Sequence, residues 1–117
     1  MKKDEKIYVA GHSGMVGSAL IKRLKDEGYN NLVFSTHKDL DLIKQQDVTD
    51  FFHKEKPEYV FMAAGRVGGI DANDNLRGQF IYDNLMIQNN IIHAAHETNV
   101  KKLMFLGSAC IYPRNAV

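Results

Sequence analysis

The sequence predicts an α/β fold built on a Rossmann-like, doubly wound parallel sheet, and three observations support this prediction. Short apolar runs that suit buried strands alternate with segments whose apolar residues recur every three or four positions, as in helices. Three of the runs end at a glycine. The first run is followed by regularly spaced glycines and then by a helical pattern, which is the order of elements that creates an anion site.

The first strand is predicted at residues 7–10, and glycines follow it at a spacing of three, as Gly11, Gly14 and Gly17. At a junction between a strand and a helix, backbone N–H groups point outward and the helix dipole favours negative charge. The absent side chains let a pyrophosphate come close. The pattern is therefore typical of a dinucleotide site. In an alternative interpretation, the glycines only permit a tight turn and close packing.

The later elements follow from the same patterns. Gly28 is expected to end the first helix at about residue 27, Asp47 to cap the second, and Pro57 to lie just beyond the second. Residues 66–77 are expected to form a loop, with or without a helical turn. We predict further strands at 32–36, 40–42, 58–64 and 102–106, and further helices at about 47–56 and 79–98.

The length and composition of the chain limit the classes of protein to which it can belong. A chain of 117 residues supports one domain with a modest core, and its net charge of +1 gives no electrostatic case for binding nucleic acid or a membrane surface. The one cysteine excludes an internal disulfide and suits a cytoplasmic location, and no metal-ligand spacing is present. No apolar run approaches the roughly 20 residues that span a bilayer, and no signal peptide is expected.

The segment after the second strand bears on the choice of dinucleotide. An acidic residue there would hydrogen-bond the adenosine ribose and favour NAD. This chain has Ser35, Thr36, His37 and Lys38 instead, with no carboxylate before Asp39. Hydroxyls and a cation suit a 2′-phosphate, so NADP(H) is the predicted cofactor, although Lys38 alone is equally typical of a solvated loop.

Two other segments extend the predicted site. Asp41 and Leu42 would place a polar group and an apolar side chain against the adenine, or Leu42 would only pack in the core. Small residues after the third long strand would let a cofactor lie flat on the backbone, or would only form a tight turn. The predicted cofactor-binding residues are Gly11, His12, Ser13, Gly14, Met15, Val16, Gly17, His37, Lys38, Asp41, Leu42, Ala63, Ala64, Gly65, Leu106 and Gly107.

The long helix at 79–98 carries apolar residues on two sides. One stripe would cover the sheet, and the second would need a partner, either in a symmetric homodimer or from further chain. A single wide core face is the alternative. The two stripes are Ile81, Leu85, Ile92 and Ala95, and Ile87, Ile91 and Ala94.

Four segments together carry a resemblance to a known family. They are G-H-S-G-M-V-G-S-A at 11–19, V-G-G-I at 67–70, N-I-I-H-A-A at 90–95 and G-S-A-C-I-Y-P at 107–113. In these segments the chain resembles the GDP-L-fucose synthases, which are extended short-chain dehydrogenases/reductases. That family converts GDP-4-keto-6-deoxy-D-mannose to GDP-L-fucose, epimerising C3 and C5 and then reducing the C4 ketone with NADPH.

The resemblance implies a GDP-sugar substrate and assigns roles to Ser108 and Cys110. Ser108 would hydrogen-bond the carbonyl region of the substrate, and Cys110 would act as an acid/base in epimerisation, since protons beside a ketone are acidified. Taken alone, Ser108 is typical of a turn and Cys110 of a small buried side chain.

The chain departs from the family pattern in two respects. Ser13, Ser35 and His37 stand where the bacterial enzymes have arginines around the 2′-phosphate. No Tyr-x-x-x-Lys pair occurs in the 117 residues. We therefore expect the N-terminal part of a dinucleotide-binding domain, with the substrate domain absent and no activity by itself. Another NAD(P)-dependent sugar-nucleotide epimerase or dehydratase, or a non-catalytic nucleotide-binding or dimerising module, are the alternatives.

Overall fold

The structure, a computed structural model, describes residues 1–36, 38–64 and 77–106. It contains a parallel sheet whose four strands are β1 (Ile7–Ala10), β2 (Leu32–Val33), β3 (Tyr59–Met62) and β4 (Lys102–Phe105). The strand order across the sheet is β2-β1-β3-β4. The chain passes from β1 to β2 on one side and then returns to place β3 on the other side of β1. This reversal opens a crevice between β1 and β3 at their carboxyl ends.

Helices cover both faces of the sheet. They are α1 (Met15–Asp26), α2 (Gln45–Glu55) and α3 (Arg77–Glu97). Because side chains alternate along a strand, Ile7 and Val9 pack with Leu24 of α1, whereas Tyr8 packs with residues of α2 and α3 such as Phe52. All four residues of β1 are buried, so the continuous apolar run reflects burial on both faces. Within the described ranges, no helix has both the length and the apolarity that crossing a membrane requires.

The ends of α1 and α3 use the same hydrogen-bonded turn. At α1, Gly28 has a φ of 92°, and Tyr29 N–H donates to the Leu24 carbonyl at 2.9 Å. At α3, Asn99 has a φ of 60°, and Val100 N–H donates to the Ala95 carbonyl at 3.0 Å. A residue in the left-handed conformation satisfies the last carbonyls and directs the chain into the next strand. The prediction that Gly28 ends the first helix is confirmed.

Three local predictions were wrong. Strand β2 pairs only over Leu32–Val33, because Phe34 leaves the sheet to stack its ring on His12. Residues 40–42 form no strand, since the chain turns there. Helix α2 begins at Gln45 with Lys44 as its N-cap, so Asp47 lies in the first turn, where its charge favours the helix dipole without capping it.

Helix α3 separates its apolar residues into two stripes, and the alternative of one wide core face is wrong. Ile87, Ile91 and Ala94 are buried against the sheet. The other stripe, Ile81, Leu85 and Ile92, is 47 to 59% exposed in this chain. Ala95 was predicted in that second stripe, but it is buried with the core.

Carboxylates join the strands at their amino ends, opposite the crevice. Glu5, just before β1, forms an ion pair with Lys101, just before β4. The Lys101 hydrogen bond is the main reason that the pKa of Glu5 lies below its usual value, and Glu5 in turn raises the pKa of Lys101. Glu58, before β3, accepts a hydrogen bond from Lys6 N–H at 3.1 Å. The amino ends of three neighbouring strands are thereby connected.

Candidate functional site

A cleft of about 240 Å³ lies at the carboxyl ends of β1 and β3. Four segments of the chain build it, namely β1 with its glycine turn, the end of β2, the turn before α2, and the end of β3. The described residues that line it are Tyr8, Gly11, His12, Ser13, Gly14, Ser35, Thr36, Leu40, Leu42, Ala63 and Ala64.

Two of the three glycines are required by backbone contacts inside the protein. Gly11 has a φ of 86°, and a Cβ there would lie 2.7 Å from the backbone carbonyl of Ala63. A Cβ on Gly17 would lie 1.9 Å from the carbonyl oxygen of Gly11. For these two positions, the interpretation of close packing and a tight turn is correct.

Gly14 is different, because nothing in the described part of the protein crowds it. The nearest atom to a Cβ there would be the Gly11 carbonyl oxygen, at an ordinary contact distance of 3.6 Å. Gly14 is the N-cap of α1, no side chain caps the helix, and the first turn has no acidic residue. An anion in the cleft would therefore meet uncapped N–H groups and the positive end of the helix dipole. The residues at this end of the cleft fit the pyrophosphate of a dinucleotide.

The end of β2 presents hydroxyl groups to the cleft. Ser35 and Thr36 line it, whereas Asp39 does not. The Asp39 carboxylate instead accepts a hydrogen bond from the Thr36 hydroxyl at 3.0 Å. No described carboxylate lines the cleft near β2, so the acidic group that would hydrogen-bond the ribose of NAD is missing from this part of the site. Lys38 is exposed and does not line the cleft.

Leu40 and Leu42 form the apolar wall of the cleft beyond the β2 end. Both side chains are buried in the core, at 5% and 8% exposure, and both also line the cleft. Leu42 therefore packs in the core, as one interpretation predicted, and it also lines the cleft. Asp41 does not line the cleft, because its side chain is turned back to accept a hydrogen bond from Ile43 N–H at 3.1 Å.

Tyr8 is a residue of the cleft that sequence reasoning missed. Its ring is 1% exposed and packs against Phe51 and Phe52, with centroid distances of 4.8 and 5.7 Å. Burial raises the pKa of Tyr8 to about 12, and the nearby Ser35 side chain acts in the opposite direction. The sequence signal that could have revealed Tyr8 as a site residue is its polar hydroxyl group in an otherwise aliphatic strand.

The structure brings together some of the predicted cofactor residues and separates others. Those that line the cleft are Gly11, His12, Ser13, Gly14, Leu42, Ala63 and Ala64. Those that are described but do not line it are Met15, Val16, Gly17, Lys38, Asp41 and Leu106. Those that lie outside the described residues are His37, Gly65, Gly107 and the predicted catalytic pair, Ser108 and Cys110.

Residues 7–117 match the sequence model of the NAD dependent epimerase/dehydratase family. The chain belongs to that family. Relatives of this chain include GDP-L-fucose synthase 1 of Arabidopsis thaliana, which is 56% identical over 97% of the chain. The chain spans 35% of the length of that relative. The resemblance to GDP-L-fucose synthases that the sequence segments indicated is thereby confirmed.

Solved structures of the epimerase/dehydratase fold support the predicted α/β class. A GDP-D-glycero-L-gluco-heptose synthase from Campylobacter jejuni, solved in the presence of NADPH, has a TM-score of 0.95 and 53% identity. A GDP-mannoheptose C4 reductase from the same organism, with NADP bound, gives the same two values. Each comparison covers 100% of this chain, and the shares of the two solved chains are 34% and 37%.

The different surroundings of the glycines predict different results for alanine substitutions. Gly17→Ala is expected to lower the free energy of unfolding by about 3 kcal/mol, because its Cβ would overlap a backbone carbonyl. Gly14→Ala is expected to cost about 0.5 kcal/mol as a poorer N-cap, yet to weaken dinucleotide binding because the methyl group would enter the cleft. Denaturant unfolding and NADPH titration separate the two effects. Equal destabilisation by both substitutions would contradict the distinction.

The buried Tyr8 predicts a change in stability at alkaline pH. Below pH 10 the tyrosine is neutral in both the folded and the unfolded state, so the difference in stability between wild type and Tyr8→Phe is expected to stay constant there. Between pH 10 and about 12 the unfolded chain releases this proton and the folded protein keeps it. Wild-type stability should then fall relative to Tyr8→Phe by up to about 1.4 kcal/mol per pH unit.

Denaturant unfolding at several pH values measures this difference. Tyr29→Phe is the control, because its hydroxyl lies at the surface. We expect the control to follow the wild-type profile. A constant difference between wild type and Tyr8→Phe across the alkaline range would contradict the prediction.

Proposed function

We propose that the protein is an NADPH-dependent enzyme that converts GDP-4-keto-6-deoxy-D-mannose to GDP-L-fucose. The observation that carries this proposal is the 56% identity to GDP-L-fucose synthase 1 over 97% of the chain. The reaction has two parts, epimerisation at C3 and C5 and then reduction at C4. The cleft described above serves the second part by holding the reductant.

The residues of the cleft have separate tasks in this proposal. The open N-terminus of α1 at Gly14 binds the pyrophosphate. Ser35 and Thr36 contact the 2′-phosphate of the adenosine ribose, and Lys38 adds positive charge from the adjoining turn. Ala63 and Ala64 leave the β3 end free of bulky side chains, so that the dinucleotide lies close to the backbone. When bound, NADPH supplies the hydride for the C4 ketone.

Ser108 and Cys110 remain the proposed catalytic residues, by resemblance to the family. Ser108 hydrogen-bonds the substrate near its carbonyl, and the Cys110 thiol exchanges the protons beside that carbonyl. His37, Gly65 and Gly107 likewise remain proposed cofactor residues. A cytoplasmic location is proposed with them, since it suits a chain with one cysteine.

A second candidate differs only in the sugar. The two solved Campylobacter jejuni proteins are a GDP-heptose synthase and a GDP-mannoheptose reductase, and each is 53% identical to this chain. In this alternative the protein reduces a GDP-4-keto-heptose with NADPH. The dinucleotide site and its residues keep the same tasks in both candidates.

The protein expressed from its complete gene provides the test. It is incubated with NADPH and either GDP-4-keto-6-deoxy-D-mannose or a GDP-4-keto-heptose, and the products are identified by NMR. GDP-L-fucose as the product is the expected result. Reduction of the heptose alone would favour the second candidate, and consumption of neither sugar would overturn both.

A parallel reaction with NADH tests the cofactor preference, and equal rates with the two cofactors would contradict the proposed role of Ser35 and Thr36.

We also propose that the protein forms a homodimer through α3. Ile81, Leu85 and Ile92 lie at spacings of four and seven residues and therefore follow one side of the helix. This exposed stripe lies away from the buried one, and a contiguous apolar surface of this kind is typical of an interface. A second copy of the helix offers a surface of the same composition, as a symmetric interface requires.

The dimer proposal predicts that Leu85→Glu yields monomers, because each interface would bury two unpaired carboxylates. Sedimentation of the protein expressed from its complete gene measures the mass, with Gln45→Glu on the exposed start of α2 as a control that adds the same charge. The control should remain dimeric. A wild-type protein that sediments as a monomer at micromolar concentration would overturn the proposal.

A further inference from the structure

Asn90 is a buried amide on α3 that contacts a distant turn. Its side chain is in the core, with the residue 6% exposed. The side-chain Nδ2 donates to the carbonyl oxygen of Leu42 at 2.9 Å and to that of Ile43 at 3.0 Å. Two consecutive backbone carbonyls, on a turn 47 and 48 residues earlier in the sequence, are thus held by one side chain.

The turn that Asn90 holds is the apolar wall of the cleft. Leu40 and Leu42 provide the side chains of that wall. Within the turn, the hydrogen bonds are local, from Ile43 N–H to the Asp41 carboxylate and from Lys44 N–H to the Asp41 carbonyl at 3.1 Å. These local bonds shape the turn, and the burial of Leu40 and Leu42 packs it against the core. Among the described side chains, Asn90 adds a directional polar contact to that packing. The amide of Asn90 ties the turn to α3, which is packed on the sheet.

The position of the wall identifies the part of the ligand that it meets. The pyrophosphate belongs at Gly14, and the adenosine ribose belongs at the end of β2. Leu40 and Leu42 lie beyond the β2 end, where the adenine follows the ribose. Their side chains offer apolar contact to a face of the base, and the distance of the turn from the sheet sets the width available to it.

We infer that Asn90 is a positioning residue for the adenosine end of the dinucleotide, acting through the carbonyls of Leu42 and Ile43. This inference rests on the proposed function, since it names a part of the same cofactor site. Asn90 itself does not line the cleft. Its effect on the ligand therefore passes through the position of the turn.

Asn90→Asp isolates the two donated hydrogen bonds. An aspartate carboxylate has nearly the same shape as the amide but has no N–H, so it would face two carbonyl oxygens with acceptors only. The turn would move away from α3, and the wall would lose its contact with the base. Asn89→Asp is the matched control, because the neighbouring residue undergoes the same change at an exposed position.

The experiment uses the protein expressed from its complete gene and adenosine 2′,5′-bisphosphate, which represents the adenosine end of NADPH. For Asn90→Asp, we expect calorimetry to give a Kd about tenfold higher than wild type, the scale of one or two lost hydrogen bonds. The KM for NADPH should rise similarly, while kcat at saturating NADPH stays within about twofold, as for a loss of uniform binding. Asn89→Asp should match wild type in every respect.

Other outcomes would overturn the inference. If Asn90→Asp lowers the melting temperature but binds the bisphosphate as wild type does when folded, Asn90 is only structural. Should Asn90→Asp not fold, Asn90→Ser keeps one donor and is expected to raise the Kd by about threefold, in line with one lost hydrogen bond. An unchanged Kd in that variant would overturn the inference too. A wild-type protein that binds neither the bisphosphate nor NADPH would overturn the proposed function and this inference with it.

Discussion

The structure depends on a close approach between backbones at the carboxyl ends of β1 and β3. Ala63 N–H donates to the Ala10 carbonyl at 2.9 Å, so the pairing of the two strands continues past β3 and brings Ala63 against Gly11. Gly17 then brings the first turn of α1 onto the carbonyl of Gly11. Side chains at Gly11 and Gly17 would separate these segments. The cleft exists because two glycines pack the turn tightly and a third, Gly14, leaves its outer surface free.

The charge and polarity of the cleft are set by the two elements beside the glycine turn, the N-terminus of α1 and the end of β2. The helix N-terminus supplies positive potential without a basic side chain, and the end of β2 supplies hydroxyls without a carboxylate lining the cleft. Tyr8 lines the same cleft as Ser35, and its ring is fixed in the core against Phe51 and Phe52. A phenol whose pKa is raised to about 12 stays neutral at physiological pH. Tyr8 therefore adds no negative charge to the cleft, where such a charge would repel a phosphorylated ligand.

The sequence was sufficient for the elements with an apolar run or a helical periodicity and insufficient where the chain turns. β1, β3, β4 and the long helix were predicted within a few residues, although only β1 is buried along its whole length. Leu40 and Leu42 led to the wrong prediction of a strand at residues 40–42, because a turn can bury apolar side chains as well as a strand can. Asn90 had a local signal, as a polar residue beside Ile91 on the apolar side of a helix. Its partners, more than 40 residues away, have no sequence signature.

The ion pair between Glu5 and Lys101 joins residues that are 96 positions apart. During synthesis, the segment before β1 leaves the ribosome long before Lys101, and β1 keeps one edge open until β3 arrives to pair with it. The amino end of β4 is therefore connected after the central pairing of β1 with β3 has become possible. Until β3 has been synthesised, β1 keeps an unpaired edge, and unpaired strand edges invite contact with other chains.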